Sequence, residues 1–99
     1  MTVEKKMNGK ALEIALEGRL DTMTAPELEK ELNQSLGSAD SLTLDFSKLD
    51  YISSAGLRVL LSAHKTMSGK GGVKITNVNE IVQEVFEVTG FADILNIER

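Results

Sequence analysis

The sequence contains no cysteine and no tryptophan, and it has one proline and one histidine among its 99 residues. The absence of cysteine excludes disulfide cross-links, thiolate catalysis and cysteine-ligated zinc sites. No uninterrupted apolar run exceeds three residues, as at Val59–Leu61, whereas a membrane-spanning helix needs roughly 18. Residues 1–10 contain lysines, but no apolar stretch of the kind found in secretory signals follows them. We therefore expect a protein of a reducing compartment, most simply the cytoplasm.

Length and charge narrow the class of protein further. A chain of this length is expected to form one domain over residues 1–99, and 41% apolar with 26% charged residues is ordinary for a globular fold. The formal net charge is −4, and the 11 lysines and arginines form no cluster. Because nucleic-acid binding requires clustered positive charge, we do not expect DNA or RNA as a direct partner.

Apolar residues recur every second residue in some segments and about every 3.6 residues in others. This alternation of periods is typical of strands alternating with helices. An antiparallel hairpin is predicted from segments 2–7 and 12–16, which flank the turn signal Asn8-Gly9. Two further strands are predicted at 42–46 and 73–76. The last apolar residues, within 91–97, predict a packed turn or an edge strand.

Three helices are predicted between these strands. The first begins with a capping box formed by Thr24 and Glu27 and ends at Gly37 in a left-handed conformation, with Leu28, Leu32 and Leu36 on one face.

The second helix has about four turns and runs from the Ser53-Ser54 region to Ser68-Gly69. The third is predicted from a second capping box, Asn77 with Glu80, to a stop at Gly90. Its predicted inner face comprises Ile81, Val82, Val85 and Phe86.

The polar start of the second helix is the first candidate site. Serine is a preferred helix cap, so Ser53 or Ser54 has a purely structural interpretation. The same location suits a phosphoserine, because a helix start offers unpaired amides and a partial positive charge to an added phosphate. Arg58 lies one turn beyond Ser54, within reach of such a phosphate, although an arginine there is also ordinary solvated surface.

Asp21 is the second candidate, since it follows Gly18-Arg19-Leu20 directly before the first helix. An aspartate there can simply accept hydrogen bonds from turn amides. A carboxylate that lies beside a serine hydroxyl would indicate a functional site in addition to this turn role.

Enzymatic interpretations find little support in the sequence. Ser62 and Lys65 have the spacing of a serine–lysine nucleophile motif, but they lie mid-helix without its companion motifs. His64 has no second histidine or cysteine with which to share a metal, and Gly69–Gly72 lacks the spacing of a phosphate-binding loop. We expect no catalytic residues, no resident cofactor and no metal site.

Three segments together resemble the STAS domains, and in particular the bacterial anti-sigma factor antagonists. The run Leu44–Leu61 resembles the family signature, Leu16–Ala25 resembles its strand ending in Gly-x-Leu-Asp, and Val88–Ile97 fits its usual ending. The resemblance covers nearly the whole chain. It implies a single STAS-like α/β domain with a mixed four- to five-stranded sheet and amphipathic helices mainly on one face.

The resemblance also implies roles for particular residues. Ser54 matches the position that a partner kinase phosphorylates, and Asp21 matches the family's aspartate beside that position. Ser53 stands where the family usually has aspartate, so either the kinase recognises the site differently or Ser53 competes as acceptor. The implied partner-binding residues are Asp21, Thr22, Met23, Ser53, Gly56, Leu57 and Arg58. For Gly56 a packing role is equally open, since its missing side chain permits close approach.

The resemblance finally implies a phosphorylation-controlled binding switch that is not an enzyme. The unphosphorylated form would bind an anti-sigma factor with serine-kinase activity and free a sigma factor. Phosphorylation at Ser54 would weaken that complex, and a metal-dependent serine phosphatase would restore the binding form. ATP would be the kinase's cofactor. The alternative is a STAS scaffold or a transporter-associated subunit that phosphorylation does not regulate.

Overall fold

The computed structural model describes residues 1–98, which form five strands and three α-helices in the alternating order expected of an α/β domain. The strands are β1 (Thr2–Asn8), β2 (Ala11–Leu20), β3 (Ser41–Ile52), β4 (Val73–Thr76) and β5 (Asn96–Ile97). The helices are α1 (Ala25–Ser35), α2 (Ser54–Met67) and α3 (Glu80–Thr89). Short 3₁₀ helices follow α1 and α3, at Leu36–Ser38 and Phe91–Asp93.

The strands form one mixed sheet in the order β1-β2-β3-β4-β5, in which only the β1–β2 pair is antiparallel. The predicted hairpin and the predicted mixed sheet are therefore confirmed. From β2 onward each parallel strand follows its neighbour through a helix, always in the same direction across the sheet. Because such crossovers are right-handed, α1, α2 and α3 cover the same face. The carboxyl ends of β2, β3 and β4 consequently share one edge with the starts of the three helices.

β2 and β3 are longer than the alternation in the sequence predicts, because the register between them shifts twice. The shifts lie between Ala15 and Glu17 and between Gly18 and Arg19. Buried positions in β3 consequently change from every second residue to every third, at Phe46, Leu49 and Ile52. The sequence context of Gly18 suggests that β2 ends there. The strand instead continues through Gly18, which has φ +106. These bulges carry both strands as far as the pair Leu20 and Ile52.

The predicted capping of α1 is wrong in its details. Thr24 is the residue before the helix, but its side chain does not cap it. The Thr24 hydroxyl instead accepts a hydrogen bond from the Asp21 amide at 2.8 Å and donates to the Arg19 carbonyl at 2.7 Å. Gly37 does not close α1 in a left-handed conformation, because the chain continues from a right-handed Leu36 into the 3₁₀ helix.

α3 begins two residues later than the proposed capping box. Asn79 is its cap and accepts a hydrogen bond from the Val82 amide at 2.8 Å. Asn77 adopts φ +58 and directs its side-chain amide to Asp45 instead. The predicted stop at Gly90 is confirmed, with φ +81.

The core lies between the helices and the sheet and is built from leucine, isoleucine, valine and phenylalanine side chains. The predicted apolar face of α1 is buried there, together with Leu57, Leu60 and Met67 of α2. On α3, Val82 and Phe86 are buried, but Ile81 is 60% exposed, which corrects the predicted inner face. No helix within residues 1–98 is long and apolar enough to cross a membrane.

Candidate functional site at the start of α2

The candidate site forms where the last residues of β2 and β3 lie side by side. Leu20 and Ile52 are register partners, and both side chains are fully buried. One residue further, the Ser53 amide donates a hydrogen bond to the Leu20 carbonyl at 2.9 Å. Asp21 and Ser53 therefore begin the two loops from neighbouring positions. The two candidate segments that are separate in the sequence are adjacent in the fold.

Ser53 and Ser54 have different environments. Ser53 is the residue before α2 and has an extended backbone, but its hydroxyl does not cap the helix. That hydroxyl is buried and has no hydrogen-bond partner among residues 1–98. Ser54 is the first residue of α2 and is exposed. Neither serine thus performs the capping role that its position in the sequence suggests, and only the second is open to a partner.

Gly56 and Leu57 lie in the interior beneath the exposed serine. A Cβ atom on Gly56 would stand 2.7 Å from Leu20 Cγ and 2.9 Å from Ile52 Cγ1. Both neighbouring side chains are locked in the core, so glycine is required for the first turn of α2 to pack on the strand ends. Gly56 and Leu57 therefore shape the site from below.

Asp21 organises the loop between β2 and α1. Its Oδ1 accepts hydrogen bonds from the Met23 amide at 3.0 Å and the Thr24 amide at 3.2 Å, which is the turn role open to an aspartate in this position. Desolvation raises the pKa of the Asp21 carboxyl. The hydrogen bonds from Thr24 and Met23, together with the Arg19 charge, outweigh it and hold this pKa below its ordinary value. The carboxylate is therefore ionised at neutral pH, next to the start of α2.

A cationic and aromatic pair flanks this loop and was given no role in the sequence-based prediction. The Arg19 guanidinium lies 4.6 Å from the centroid of the Tyr51 ring, and its Nε lies 3.8 Å from Asp21 Oδ2. The bulge after Gly18 sets this pairing of Arg19 with Tyr51 across β2 and β3. Sequence alternation alone could not place the two residues opposite each other. An arginine stacked on an aromatic ring can hold its charge at a fixed place beside the site.

The surface around Ser54 includes residues from both loops. Thr22 and Arg58 line one shallow depression together with Ala25, Pro26 and Ala55, so the predicted partner-binding residues Thr22 and Arg58 are brought together. Met23 is 86% exposed at the tip of the preceding loop. An exposed methionine beside polar groups is an adaptable apolar anchor for a protein partner. In residues 1–98, no set of three or more histidine, cysteine, aspartate or glutamate side chains is grouped to hold a metal ion.

The comparisons with known proteins agree in the family they identify. Residues 3–96 match the family model described as "Mlab, STAS domain". BtrV of Bordetella bronchiseptica, which is described as a candidate anti-sigma factor antagonist, is 38% identical over 84 residues, covering 83% of this chain and 72% of BtrV. The anti-sigma-B factor antagonist of Bacillus subtilis is 28% identical over 98 residues, covering 98% of this chain and 90% of the relative.

A solved structure extends the similarity to the fold. An anti-sigma factor antagonist from Mycobacterium paratuberculosis superimposes with a TM-score of 0.88 at 19% identity, over 98% of this chain and 84% of the other. At that identity the likeness concerns the fold alone.

Proposed function

Because the chain belongs to the STAS domain family, we propose that it is an anti-sigma factor antagonist whose binding is switched by phosphorylation of Ser54. The observation that carries this proposal is the exposure of Ser54 at the first residue of α2, beside the Asp21 loop. Unphosphorylated, the chain binds an anti-sigma factor with serine-kinase activity and so frees a sigma factor. Two relatives that align over most of this chain are named for anti-sigma factor antagonism, one of them as a candidate.

The choice of Ser54 over Ser53 rests on access. A kinase must bring the γ-phosphate of ATP within bonding distance of the acceptor oxygen, so the hydroxyl has to be reachable from solvent. Ser54 is exposed, whereas the Ser53 hydroxyl is buried. Ser53 replaces the usual acidic neighbour without competing for the phosphate.

The start of α2 tolerates the product of the reaction. The first amides of a helix and its partial positive charge favour a phosphate, and Arg58 lies four residues further along the helix. The domain therefore needs no refolding on phosphorylation. The change lies in the surface, which gains a charge of about −1.5 to −2.

That added charge weakens the complex at the interface itself. Ser54 follows Ser53, whose amide is bonded to the Leu20 carbonyl at the start of the Asp21 loop, so a partner that covers this loop and Met23 would also desolvate the phosphate. A phosphate in a desolvated or acidic interface opposes binding by like-charge contact and loss of hydration. A metal-dependent serine phosphatase would return the chain to its binding form.

The test is phosphate transfer from ATP, with magnesium, by an anti-sigma factor kinase of the same organism. Mass spectrometry is expected to place one phosphate on Ser54, to find none in Ser54→Ala, and to find undiminished transfer to Ser53→Ala. Circular dichroism verifies that both variants are folded. Unchanged incorporation into Ser54→Ala would refute the site. No incorporation into the wild-type chain would favour the alternative, an unregulated STAS scaffold or transporter-associated subunit.

A further inference from the structure

β1 is an edge strand whose outer side is unpaired. In the part of the chain that the structure describes, Thr2–Asn8 pair only with β2, and nearly all of their side chains are exposed. Among residues 1–98, no backbone hydrogen bond reaches this strand from outside the β1–β2 ladder. A seven-residue edge of this kind can accept a further strand, because its outward amides and carbonyls form a ready template.

We propose that the occupant is a second copy of this chain, so that two β1 strands pair antiparallel about a two-fold axis through Lys5. The two sheets then join into one of ten strands. In this register residue i of one copy lies opposite residue 10 − i of the other, and all seven residues of β1 take part in the pairing. The helices of both copies lie on the same face of the joined sheet.

The charges of the strand are complementary to themselves in this register. Glu4 of each copy lies opposite Lys6 of the other, which makes two ion pairs on the sheet face that the helices do not cover. Shifting the register by two residues in one direction sets Glu4 against Glu4, and shifting it in the other sets Lys6 against Lys6. Of these three registers, which keep the helices of both copies on one face, only the one centred on Lys5 makes both pairs favourable.

The charge at the axis is already compensated inside each copy. Lys5 Nζ lies 2.7 Å from Glu31 Oε2 on α1 and donates a hydrogen bond to Ser35 Oγ at 3.3 Å. The two Lys5 side chains are thus directed to their own helices. On the same face, Val3 and the 41% exposed Met7 become opposite neighbours and add an apolar contact.

Glu4 and Lys6 are available for such pairing. Within residues 1–98 neither takes part in an ion pair: the β2 neighbour of Glu4 is the small residue Ala15, and that of Lys6 is Glu13, whose carboxylate accepts a hydrogen bond from Asn8. Lysines on an edge strand usually discourage pairing with other chains. Here Lys5 is neutralised by α1 of its own copy, and Lys6 lies opposite Glu4 of the second copy. The lysines therefore permit pairing with a second copy of this chain while they still discourage pairing with other strands.

Sedimentation equilibrium of the full chain between about 1 μM and 1 mM tests the pairing, a range that spans weak to moderate association. We expect the mass to rise from 10.8 kDa to twice that value. Glu4→Lys or Lys6→Glu should each weaken dimerisation at least about tenfold, because two ion pairs become two like-charge pairs. A monomer at the highest concentration would overturn the proposal.

Mixing the two variants gives the sharpest outcome. The Glu4→Lys chain has lysine at positions 4 and 6, and the Lys6→Glu chain has glutamate at positions 4 and 6. Each lysine at these positions of one chain then faces a glutamate of the other, so an equimolar mixture should associate more tightly than either variant alone. Failure of the mixture to associate, or single variants as dimeric as the wild type, would overturn the register.

Matched control variants make the same charge changes away from β1. Glu84→Lys on α3 and Lys65→Glu on α2 alter exposed side chains and should leave the dimer intact. Loss of the dimer in either control would show that the β1 register does not govern association. Circular dichroism verifies the fold of each variant.

Concentration-dependent NMR shifts provide a second measurement that needs no substitution. We expect them to be confined to Thr2–Asn8 and their β2 neighbours, and shifts centred on α2 would overturn the interface. Because α2 and β1 are separate surfaces, loss of the dimer would leave the Ser54 proposal untouched.

Discussion

Ser53 and Ser54 are consecutive residues with opposite exposure: the Ser53 hydroxyl is buried without a hydrogen-bond partner among residues 1–98, and Ser54 is exposed. The difference arises because the Ser53 amide is tied to the Leu20 carbonyl, which holds this residue against the strand ends. α2 then turns the next side chain outward. Access from solvent is thereby restricted to one of two otherwise similar hydroxyls.

Ser53→Ala is expected to leave the free energy of unfolding unchanged or to raise it by up to about 1 kcal/mol. The hydroxyl is desolvated and makes no compensating hydrogen bond to residues 1–98, and an alanine removes that unfavourable group. Urea unfolding of Ser53→Ala and Ser54→Ala provides the comparison. The exposed Ser54 is expected to change stability by less than about 0.5 kcal/mol. A loss of more than about 1 kcal/mol in Ser53→Ala would show that the hydroxyl has a stabilising partner.

Gly56→Ala is expected to destabilise the domain by about 1–3 kcal/mol, the usual range for overpacking a rigid core. Its Cβ would lie 2.7 Å from Leu20 Cγ, and Leu20 is completely buried and cannot move aside. Gly37→Ala is the matched control, because nothing lies within 4 Å of its Cβ position and its φ is not positive. Thermal unfolding should show a lower midpoint for the first variant only. Equal midpoints would contradict the close packing of α2 on β2.

Acid is expected to destabilise the domain partly through Asp45. The hydrogen bonds from the Asn77 side chain and the Ser47 amide lower the pKa of this carboxyl below its ordinary value of 3.8. A group whose pKa is lower in the folded state stabilises the fold above its unfolded pKa, and this contribution is lost as the pH falls through the folded pKa.

Asp45→Asn should therefore reduce the loss of unfolding free energy between about pH 5 and pH 3, measured by urea unfolding at each pH. Asn77→Gly removes a donor to the same carboxylate and tolerates the positive φ at that position, so it should reduce the loss as well. A steeper loss in either variant would contradict the assigned hydrogen bonds.

Met23→Ala is expected to weaken binding of the anti-sigma factor about tenfold without changing stability by more than about 0.5 kcal/mol. An apolar side chain that is 86% exposed contributes little to folding, but it can bury its surface against a partner. Val88→Ala is the control, since Val88 is 80% exposed in the last turn of α3, away from the helix starts. Isothermal titration calorimetry should separate the two variants. Equal affinities of the two variants for the anti-sigma factor would show that Met23 does not contribute to the interface.

Much of the fold follows from the sequence, because alternating and helical spacings in the apolar residues correctly predict the hairpin and the order of strands and helices. The ends of β2 and β3 do not follow, since the bulges change the buried spacing to three residues at Phe46, Leu49 and Ile52. The cap of α3 at Asn79 cannot be predicted from the sequence either, for a different reason. Asn77 and Asn79 are the same residue type, and only the backbone conformation distinguishes them.

Part of the candidate site can likewise be predicted from the sequence, and part cannot. The start of α2 at Ser54 and the neighbouring role of Asp21 are visible as residue types in suitable places. The burial of the Ser53 hydroxyl, the packing of Gly56 on Leu20, and the Arg19–Tyr51 pair depend on how two distant strands align. No local pattern carries that information.

The most direct test of the switch compares the affinity of the anti-sigma factor for the unphosphorylated chain and for the chain phosphorylated on Ser54, by isothermal titration calorimetry with purified proteins. We predict that the phosphate weakens binding at least about tenfold, because it adds a charge of about −1.5 to −2 to a surface that the partner must desolvate. Equal affinity of the two forms would contradict the account.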